Sequence, residues 1–219
     1  AEGHVRLESA PTSAIEAAGA WLRPHVVSRI DDDFEGAAAV TSRWKLSQAY
    51  PHAETRGAAL RRLPQVVRVE PCGTIRRRRD TVGDIDILVA AWPRHAGAVA
   101  DAFASLPEVR EVIAHGETKV SVVLRAGIHA DLRIVDVASW GAALHYFTGS
   151  KEHNIAVRPL AQRRGLKLNE YGIFDERGRR VGGADERDVF GAVGLPFIEP
   201  VLRENRGELE AAAAGELPK

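Results

Sequence analysis

Several things that usually decide a protein's class are scarce in this chain, and each shortage closes off a possibility. There is one cysteine, Cys72, in 219 residues. No internal disulfide can form, and such sparing use of cysteine points to a reducing compartment. Cys72 follows an apolar, strand-like run, so a buried inert thiol is expected rather than a nucleophile. Neither sign of charge is in excess, with 30 basic residues against 30 acidic. There is no global attraction to polyanions, and any nucleic-acid binding must come from local clusters of basic side chains. No apolar run reaches the roughly 20 residues that a membrane-spanning helix needs. Ala1-Glu2-Gly3-His4 has no signal-peptide layout, so a cytoplasmic protein with no membrane partner is expected. Methionine is absent throughout, position 1 included, which suggests a segment of a longer protein. There is no Walker loop, no GxGxxG and no GxSxG elbow. His115, His129, His145 and His153 lack zinc-ligand spacing, and there is no HExxH or Cys/His cluster. The acidic run Asp31-Asp32-Asp33-Phe34-Glu35-Gly36 lacks the alternating ligands and distal glutamate of a calcium loop and reads as a solvated turn.

What is present is an ordinary globular composition, 45% hydrophobic and 27% charged, long enough for one or two domains with a proper core. Helical spacing covers Thr12–Arg29, and a basic amphipathic helix covers 43–64 with an interruption near Pro51. Strand-like runs follow at Val66–Val69, Asp84–Ala90, Val109–Ala114, Lys119–Leu124 and His129–Val135, with a helix at His95–Leu106 among them. Helices are expected at Val137–Phe147 and Lys151–Arg164. A strand pair is expected within Leu166–Val181, turning at 175–178, and an exposed helix or linker around the alanines at 211–214. The class is α+β: a mixed sheet with helices, a helical N-terminal part and a smaller C-terminal lobe.

Three constellations carry chemistry. In Gly83-Asp84-Ile85-Asp86-Ile87-Leu88, strand alternation projects Asp84 and Asp86 to one face and sends Ile85 and Ile87 into the core. In His129-Ala130-Asp131-Leu132-Arg133 the same alternation puts Asp131 and Arg133 together, so neighbouring strands would gather three carboxylates. Such a group suits two divalent cations, and Asp131 becomes a candidate general base. The spacing fits equally well a turn residue, Asp84, with two aspartates paired to Arg77 and Arg133. The second constellation is Gly73-Thr74 followed by Arg76 to Arg79, a turn whose backbone N–H groups and hydroxyl could grip a terminal phosphate, or a solvated basic hairpin. Arg77 is the arginine expected to point inward, with Arg78 and Arg79 on the surface. The third runs from Tyr146 to Asn154 and on to Arg158. An aromatic pair precedes Gly149, which lets backbone approach a ligand, and Asn154 and Arg158 share a helical face. Aromatic core packing with a Ser150 helix cap explains that segment too. Metal with bound polyphosphate is the chemistry of nucleotidyl transfer.

Taken in order, these motifs resemble a family X DNA polymerase, the group that includes DNA polymerase beta, and its bacterial branch above all. The matching stretches are Cys-Gly-Thr-Ile-Arg-Arg at 72–77, Gly-Asp-Ile-Asp-Ile-Leu at 83–88, Glu-Thr-Lys-Val-Ser-Val at 117–122 and His-Ala-Asp-Leu-Arg at 129–133. Further ones are Gly-Ala-Ala-Leu-His-Tyr-Phe-Thr-Gly-Ser at 141–150, His-Asn-Ile-Ala-Val-Arg at 153–158 and Gly-Leu-Lys-Leu-Asn-Glu-Tyr-Gly at 165–172. The Gly-Asp-x-Asp motif marks only the wider nucleotidyltransferase superfamily, whereas Tyr-Phe-Thr-Gly-Ser with its downstream Asn and Arg is far more specific.

The resemblance implies a nucleotidyltransferase palm at 65–140, a small α+β thumb lobe that selects the nucleotide at 141–219, and a helical, fingers-like part at 1–64. It implies that Asp84, Asp86 and Asp131 hold two Mg2+ ions, with Mn2+ able to substitute, and that Asp131 helps to activate a primer 3′-hydroxyl. Gly73, Thr74, Arg77 and Gly83 would hold the dNTP triphosphate, and Tyr146, Phe147, Gly149, Ser150 and Asn154 the sugar and base. Lys119, Arg133, Lys151 and Arg158 would contact a DNA primer-template or gapped duplex. The implied protein is a monomer associated with the bacterial nucleoid that fills gaps in DNA repair. Thr74 stands where the family usually has serine and keeps the hydroxyl. Lys151 stands where animal enzymes carry an acidic residue. No Gly-rich helix-hairpin-helix motif is seen in 1–42, so no lyase activity is expected of the chain. Bacterial relatives continue into a phosphoesterase domain, expected to begin where this sequence stops. The alternative is another nucleotidyltransferase of the same fold, acting on a tRNA end, a small molecule or a protein. A third reading is a catalytically idle DNA-binding module.

Overall fold

The computed structural model describes residues 43–218. The expected helix at Thr12–Arg29, the acidic turn at 31–36 and the search for hairpin motifs in 1–42 all fall outside the described residues.

The described chain begins with a short strand, β1 (Trp44–Lys45), and helix α1 (Leu46–Arg61). The sequence suggests a break at Pro51, but the helix runs through it. Pro51 and Ser47, one turn earlier, are both exposed, so water can reach the carbonyl that loses its backbone donor. On the other side of α1, Ala49, Ala53, Gly57 and Leu60 form a buried stripe of mostly small residues that lets the helix lie close to a sheet.

That sheet is built from β2 (Val66–Pro71), β4 (Asp84–Ala91), β5 (Val109–His115), β6 (Lys119–Leu124) and β7 (His129–Val135) in the order β2-β4-β7-β6-β5. Only the β4–β7 pair is parallel. Between β2 and β4 come the single helical turn α2 (Gly73–Arg76) and the strand β3 (Thr81–Val82), which pairs with β1. Helix α3 (Ala96–Ala104) follows β4 through a 3-10 turn.

Alternation along β4 and β7 divides the sheet into two different faces. Ile85, Ile87 and Val89, with Ala130, Leu132 and Ile134, join α1 and α3 in one core, in which Phe103 is wholly buried. Each large side chain buried in this way contributes about 1.5–3 kcal/mol. The opposite face is apolar only at its far end, where Leu88, Ala90 and Val135 meet Trp140, Ala143 and Leu144 of helix α4 (Trp140–Thr148). Asp84, Asp86 and Asp131 occupy the near end of that face, beyond the cover of α4.

The C-terminal lobe continues with α5 (Lys151–Gln162), the strands β8 (Lys167–Asn169), β9 (Gly172–Phe174) and β10 (Arg180–Gly182), then α6 (Glu186–Val193) and α7 (Glu208–Ala214). Two strands are expected here from sequence, but there are three, antiparallel, in the order β10-β9-β8. The extra turn is made by Asn169, whose side-chain oxygen accepts the Tyr171 N–H at 3.0 Å. Helix α7 is likewise not an exposed appendage. Leu209 and Ala212 are buried with Val157, Val189 and Phe190, and the Glu208 carboxylate accepts the backbone N–H groups of Asn205 and Arg206 while lying 2.7 Å from His153 Nδ1.

Candidate active site

The parallel register of β4 and β7 sets Asp86 directly opposite Asp131 and Asp84 opposite His129. All three carboxylates share one face, and the consequence is electrostatic. Burial and the charges of Asp84 and Asp131 push the Asp86 carboxyl up to about 8, against the opposing pull of Arg133 and Arg77. Asp84 is also raised, by burial first and then by Asp131, with its own backbone N–H, His129 and Arg43 acting the other way. Among the described residues none of the three aspartates takes part in a salt bridge. The alternative in which Arg77 and Arg133 neutralise them is therefore not what forms. Arg77 pairs with Glu204 at 2.8 Å, and the Arg133 guanidinium lies 5.3 Å from the Phe147 ring centre.

Mutually repelling carboxylates in a partly desolvated cleft are what a divalent cation relieves. No three ligand-type side chains among the described residues converge on one point, so the aspartates flank a shared space instead of forming a closed cage. Gly73 leaves that space open. It has φ +56°, and a Cβ there would stand 2.0 Å from Asp86 Oδ2, so any residue with a side chain would push into the carboxylate. Asp84, Asp86 and Asp131 are the residues of this face that could hold a divalent cation.

Beside the aspartates, Arg43, Thr74, Arg77, Arg79, Asp80 and Thr81 line a cavity of about 370 Å³. Thr74 Oγ1 is buried there with no hydrogen-bond partner among the described residues, so its hydroxyl could bond to a bound group. Arg43 donates from Nε to Thr81 Oγ1 at 2.8 Å and from Nη2 to Thr81 O at 2.9 Å, while Gly83 leaves room for its Nη1, 3.6 Å from where a Cβ would be. Sequence reasoning missed Arg43, which reaches the cavity only through the β1–β3 pairing. Arg79, expected at the surface, does have a side chain 40% exposed, and it also lines this cavity 3.6 Å from Glu204. Arg78 is exposed, as expected. A larger cleft of about 900 Å³ lies against α1 and the outer side of α2, and none of the three aspartates lines it.

The third constellation touches the other two through Arg133, whose guanidinium lies over the Phe147 ring, and through Arg77, which donates to the Thr148 carbonyl. Tyr146 and Phe147 meet edge to face, with ring centres 5.1 Å apart. Asn154 donates to Tyr146 O at 2.8 Å, and its Oδ1 is buried without a partner. Arg158, exposed on α5, reaches over the Tyr146 ring at 5.7 Å. Gly149, at φ +67°, lies against Arg77, a Cβ there being 3.1 Å from Arg77 Nη1. The Ser150 hydroxyl caps α5 by accepting the His153 N–H at 3.2 Å, and its backbone N–H donates to Arg203 O at 3.0 Å. Lys151 is exposed at the first turn of α5. Lys119 and Arg133 sit directly opposite each other on β6 and β7, two like charges beside Asp131 that a bound anion would relieve.

A buried network that sequence reasoning missed joins the two halves. Arg76 grips both oxygens of Glu186 at 2.7 Å and the Thr148 hydroxyl at 2.6 Å, and the fully buried Arg203 donates to the same carboxylate at 2.5 Å. Nothing local in the sequence marks Glu186 or Glu204 as partners of the arginine run, or Arg203 as the second cation on Glu186.

Comparison with known proteins bears on the family and the fold. Residues 143–204 match the family described as DNA polymerase beta thumb. The chain is similar to the DNA polymerase/3′-5′ exonuclease PolX of Bacillus subtilis, 37% identical over 154 residues, covering 69% of this chain and 27% of the relative. It is also similar to DNA polymerase lambda of Rattus norvegicus, 30% identical over 160 residues, covering 61% of this chain and 28% of the relative. It therefore spans only about a quarter of the length of these relatives. Among solved structures, the polymerase beta of Leishmania infantum in a ternary primer-template complex has the same fold, with a TM-score of 0.66 at 21% identity, over 86% of this chain and 93% of that one. Its ternary gap complex gives the same TM-score and identity over 75% and 72%.

Proposed function

Because the chain belongs to family X of the DNA polymerases, in its bacterial-like form, we propose that it is a template-directed DNA polymerase core that joins a dNTP to a primer 3′-hydroxyl, filling short gaps in DNA repair. The observation that carries the proposal is the β4–β7 register. It sets Asp86 opposite Asp131, with Asp84 on the same face, next to a cavity with three arginines and an unpartnered threonine hydroxyl. The reaction is a phosphoryl substitution. The primer 3′-oxygen bonds to the α-phosphorus, the bond from that phosphorus to the bridging oxygen breaks, and pyrophosphate leaves with the electron pair while the 3′-hydroxyl gives up its proton.

Asp84, Asp86 and Asp131 would hold two Mg2+ ions, which supply charge neutralisation for the phosphates and a lowered pKa for the attacking hydroxyl. Asp131 is the carboxylate closest in role to a base for the 3′-hydroxyl. Thr74, the backbone of Gly73 and Gly83, and Arg77 would bind the β- and γ-phosphates, with Arg43 and Arg79 adding charge. Tyr146 and Phe147, backed by Gly149 and the Ser150 cap, would form the wall beside the sugar. Asn154, pinned by the Tyr146 carbonyl, would present its unpartnered Oδ1 toward the base edge. Lys119, Arg133, Lys151 and Arg158 would bind DNA phosphates. The palm would be 65–140 and the thumb 141–219, the chain acting as a monomer with a phosphoesterase domain following in the full protein. No helix among the described residues is long and apolar enough to cross a membrane.

The test compares acceptors. A one-nucleotide gapped duplex, a tRNA end and small hydroxyl acceptors are offered with labelled nucleoside triphosphates and Mg2+ or Mn2+. Template-dependent extension of the gapped primer supports the proposal. Transfer to the other acceptors with none to the primer would replace it with another nucleotidyltransferase activity.

A further inference from the structure

We propose that Glu204 is a positioning residue for the polyphosphate site, holding Arg77 from the thumb side so that one nitrogen of its guanidinium is presented to phosphate. The inference rests on the assignment of Arg77 to phosphate binding made above, and it adds a residue that lies 127 positions away in the chain.

A guanidinium is a rigid planar fork, so fixing two of its nitrogens fixes the third. Arg77 donates from Nε to Glu204 Oε1 at 2.8 Å and from Nη1 to the Thr148 carbonyl at 2.5 Å. Among the described residues Nη2 has no acceptor. The pair is well shielded, with side chains 11% and 17% exposed, so its geometry is not that of a fluctuating surface contact. The same Glu204 oxygen lies 3.6 Å from Arg79 Nε, so one carboxylate ties together two of the three arginines lining the cavity that also holds the unpartnered Thr74 hydroxyl.

A carboxylate at a phosphate site also repels phosphate, and the competing expectation is that Glu204 occupies Arg77 and must be displaced. The geometry favours positioning. Glu204 takes the Nε proton, Thr148 takes Nη1, and neither covers Nη2. Among the residues that line the cavity, Arg43, Arg77 and Arg79 outnumber Asp80, so the lining itself carries net positive charge. The two effects have opposite signs in experiment: a positioning role makes loss of Glu204 weaken phosphate binding, and competition makes it strengthen.

The experiment uses the full chain. Inorganic tripolyphosphate with magnesium is titrated calorimetrically into the wild type, E204Q, E204A, R77A and the R77A/E204A double variant. KM for dNTP and kcat for single-nucleotide gap filling are measured on the same set. Removing Glu204 with alanine is expected to weaken tripolyphosphate binding and raise KM for dNTP by about tenfold, the worth of one charge-assisted hydrogen bond, with kcat held within about twofold. E204Q, which is isosteric and retains an acceptor oxygen, should lose less, and it keeps the test decisive should E204A fail to fold. In the R77A background the Glu204 substitution should add little, since only the longer 3.6 Å contact with Arg79 is left to lose. Unchanged or tighter tripolyphosphate binding in E204Q and E204A, or full additivity with R77A, would overturn the proposal. If the wild type binds tripolyphosphate in a Glu204-dependent way but extends no primer, the polymerase reading fails while the positioning role stands.

Discussion

Replacing Glu186 with glutamine removes the carboxylate that two largely buried arginines share. Arg76 donates to both oxygens at 2.7 Å and Arg203 to one of them at 2.5 Å, and the side chains of Arg76, Glu186 and Arg203 are 15%, 7% and 0% exposed. Glutamine keeps one acceptor but places an NH2 donor against a guanidinium, leaving two desolvated cations without a counter-charge. Breaking one side of such a buried pair costs about 3–5 kcal/mol. For a chain of this size that is a drop of about 6–20 °C in Tm, at roughly 2–4 °C per kcal/mol. Arg203 already bears part of the cost of burial, which pulls its pKa down even with Glu186 beside it. The pH dependence follows from Glu186. Burial works to raise its pKa, but the hydrogen bonds and charges of Arg76 and Arg203 outweigh burial and hold it below the usual carboxylate range. Its contribution is therefore fully present above the unfolded value of about 4.3 and is lost as pH falls through the lower, folded value. Melting of wild type and E186Q, followed by circular dichroism from pH 7 downward, should show a wide gap at neutrality that closes in acid. A difference below about 1 kcal/mol at pH 7, the range of exposed pairs, or a gap that does not close, would refute the reasoning.

Asp86 gives the opposite pH signature. With its pKa pushed up to about 8 against about 4 unfolded, the unfolded chain releases its proton first, so metal-free stability falls as pH rises through that window. In chelator at pH 8, Asp86→Asn should melt above the wild type by an amount equivalent to about 1 kcal/mol or more, and it should lose the stabilisation that magnesium gives; a lower melting temperature than the wild type contradicts this. Gly73→Ala would drive a Cβ to within 2.0 Å of Asp86 Oδ2 at a φ of +56°, and a displaced carboxylate should cut primer extension by about a hundredfold. Activity within a few-fold of wild type would mean that the carboxylate moves without penalty. Glu208→Ala removes the partner of His153 Nδ1 at 2.7 Å and the acceptor of two loop N–H groups. Chemical denaturation should register a loss of about 2–3 kcal/mol, and a loss under 1 kcal/mol would mark α7 as dispensable.

Features set by local spacing were legible from sequence. The alternation of Asp84, Ile85, Asp86 and Ile87 predicts both which side chains enter the core and which face carries carboxylates, and β4 and β7 form with that alternation. The strands at 109–135 and the helices either side of Gly149 were legible for the same reason. Features made by tertiary contact were not. Arg43 comes to the site through a two-residue strand pair, too short for any periodicity. Glu186 and Glu204 meet the arginine run across more than a hundred residues of chain, Arg203 joins only through Glu186, and their neighbourhood shows only ordinary helix and turn composition. Pro51 misleads because the carbonyl it orphans, that of Ser47, lies on the exposed side of α1, where water can replace the lost donor. The alanines of α7 mislead in the other direction, since small residues suit a tightly docked helix as well as an exposed one.

The central claim is that Asp84, Asp86 and Asp131 act together as one metal-dependent centre for nucleotidyl transfer. Its most direct test is single-turnover incorporation into a one-nucleotide gap by the wild type and D131A, with DNA and dNTP saturating and magnesium varied. The expected result is a fall of about a thousandfold in the incorporation rate, not restored by excess magnesium, with the chain still folded and gapped-DNA binding retained. Full incorporation by D131A would contradict it.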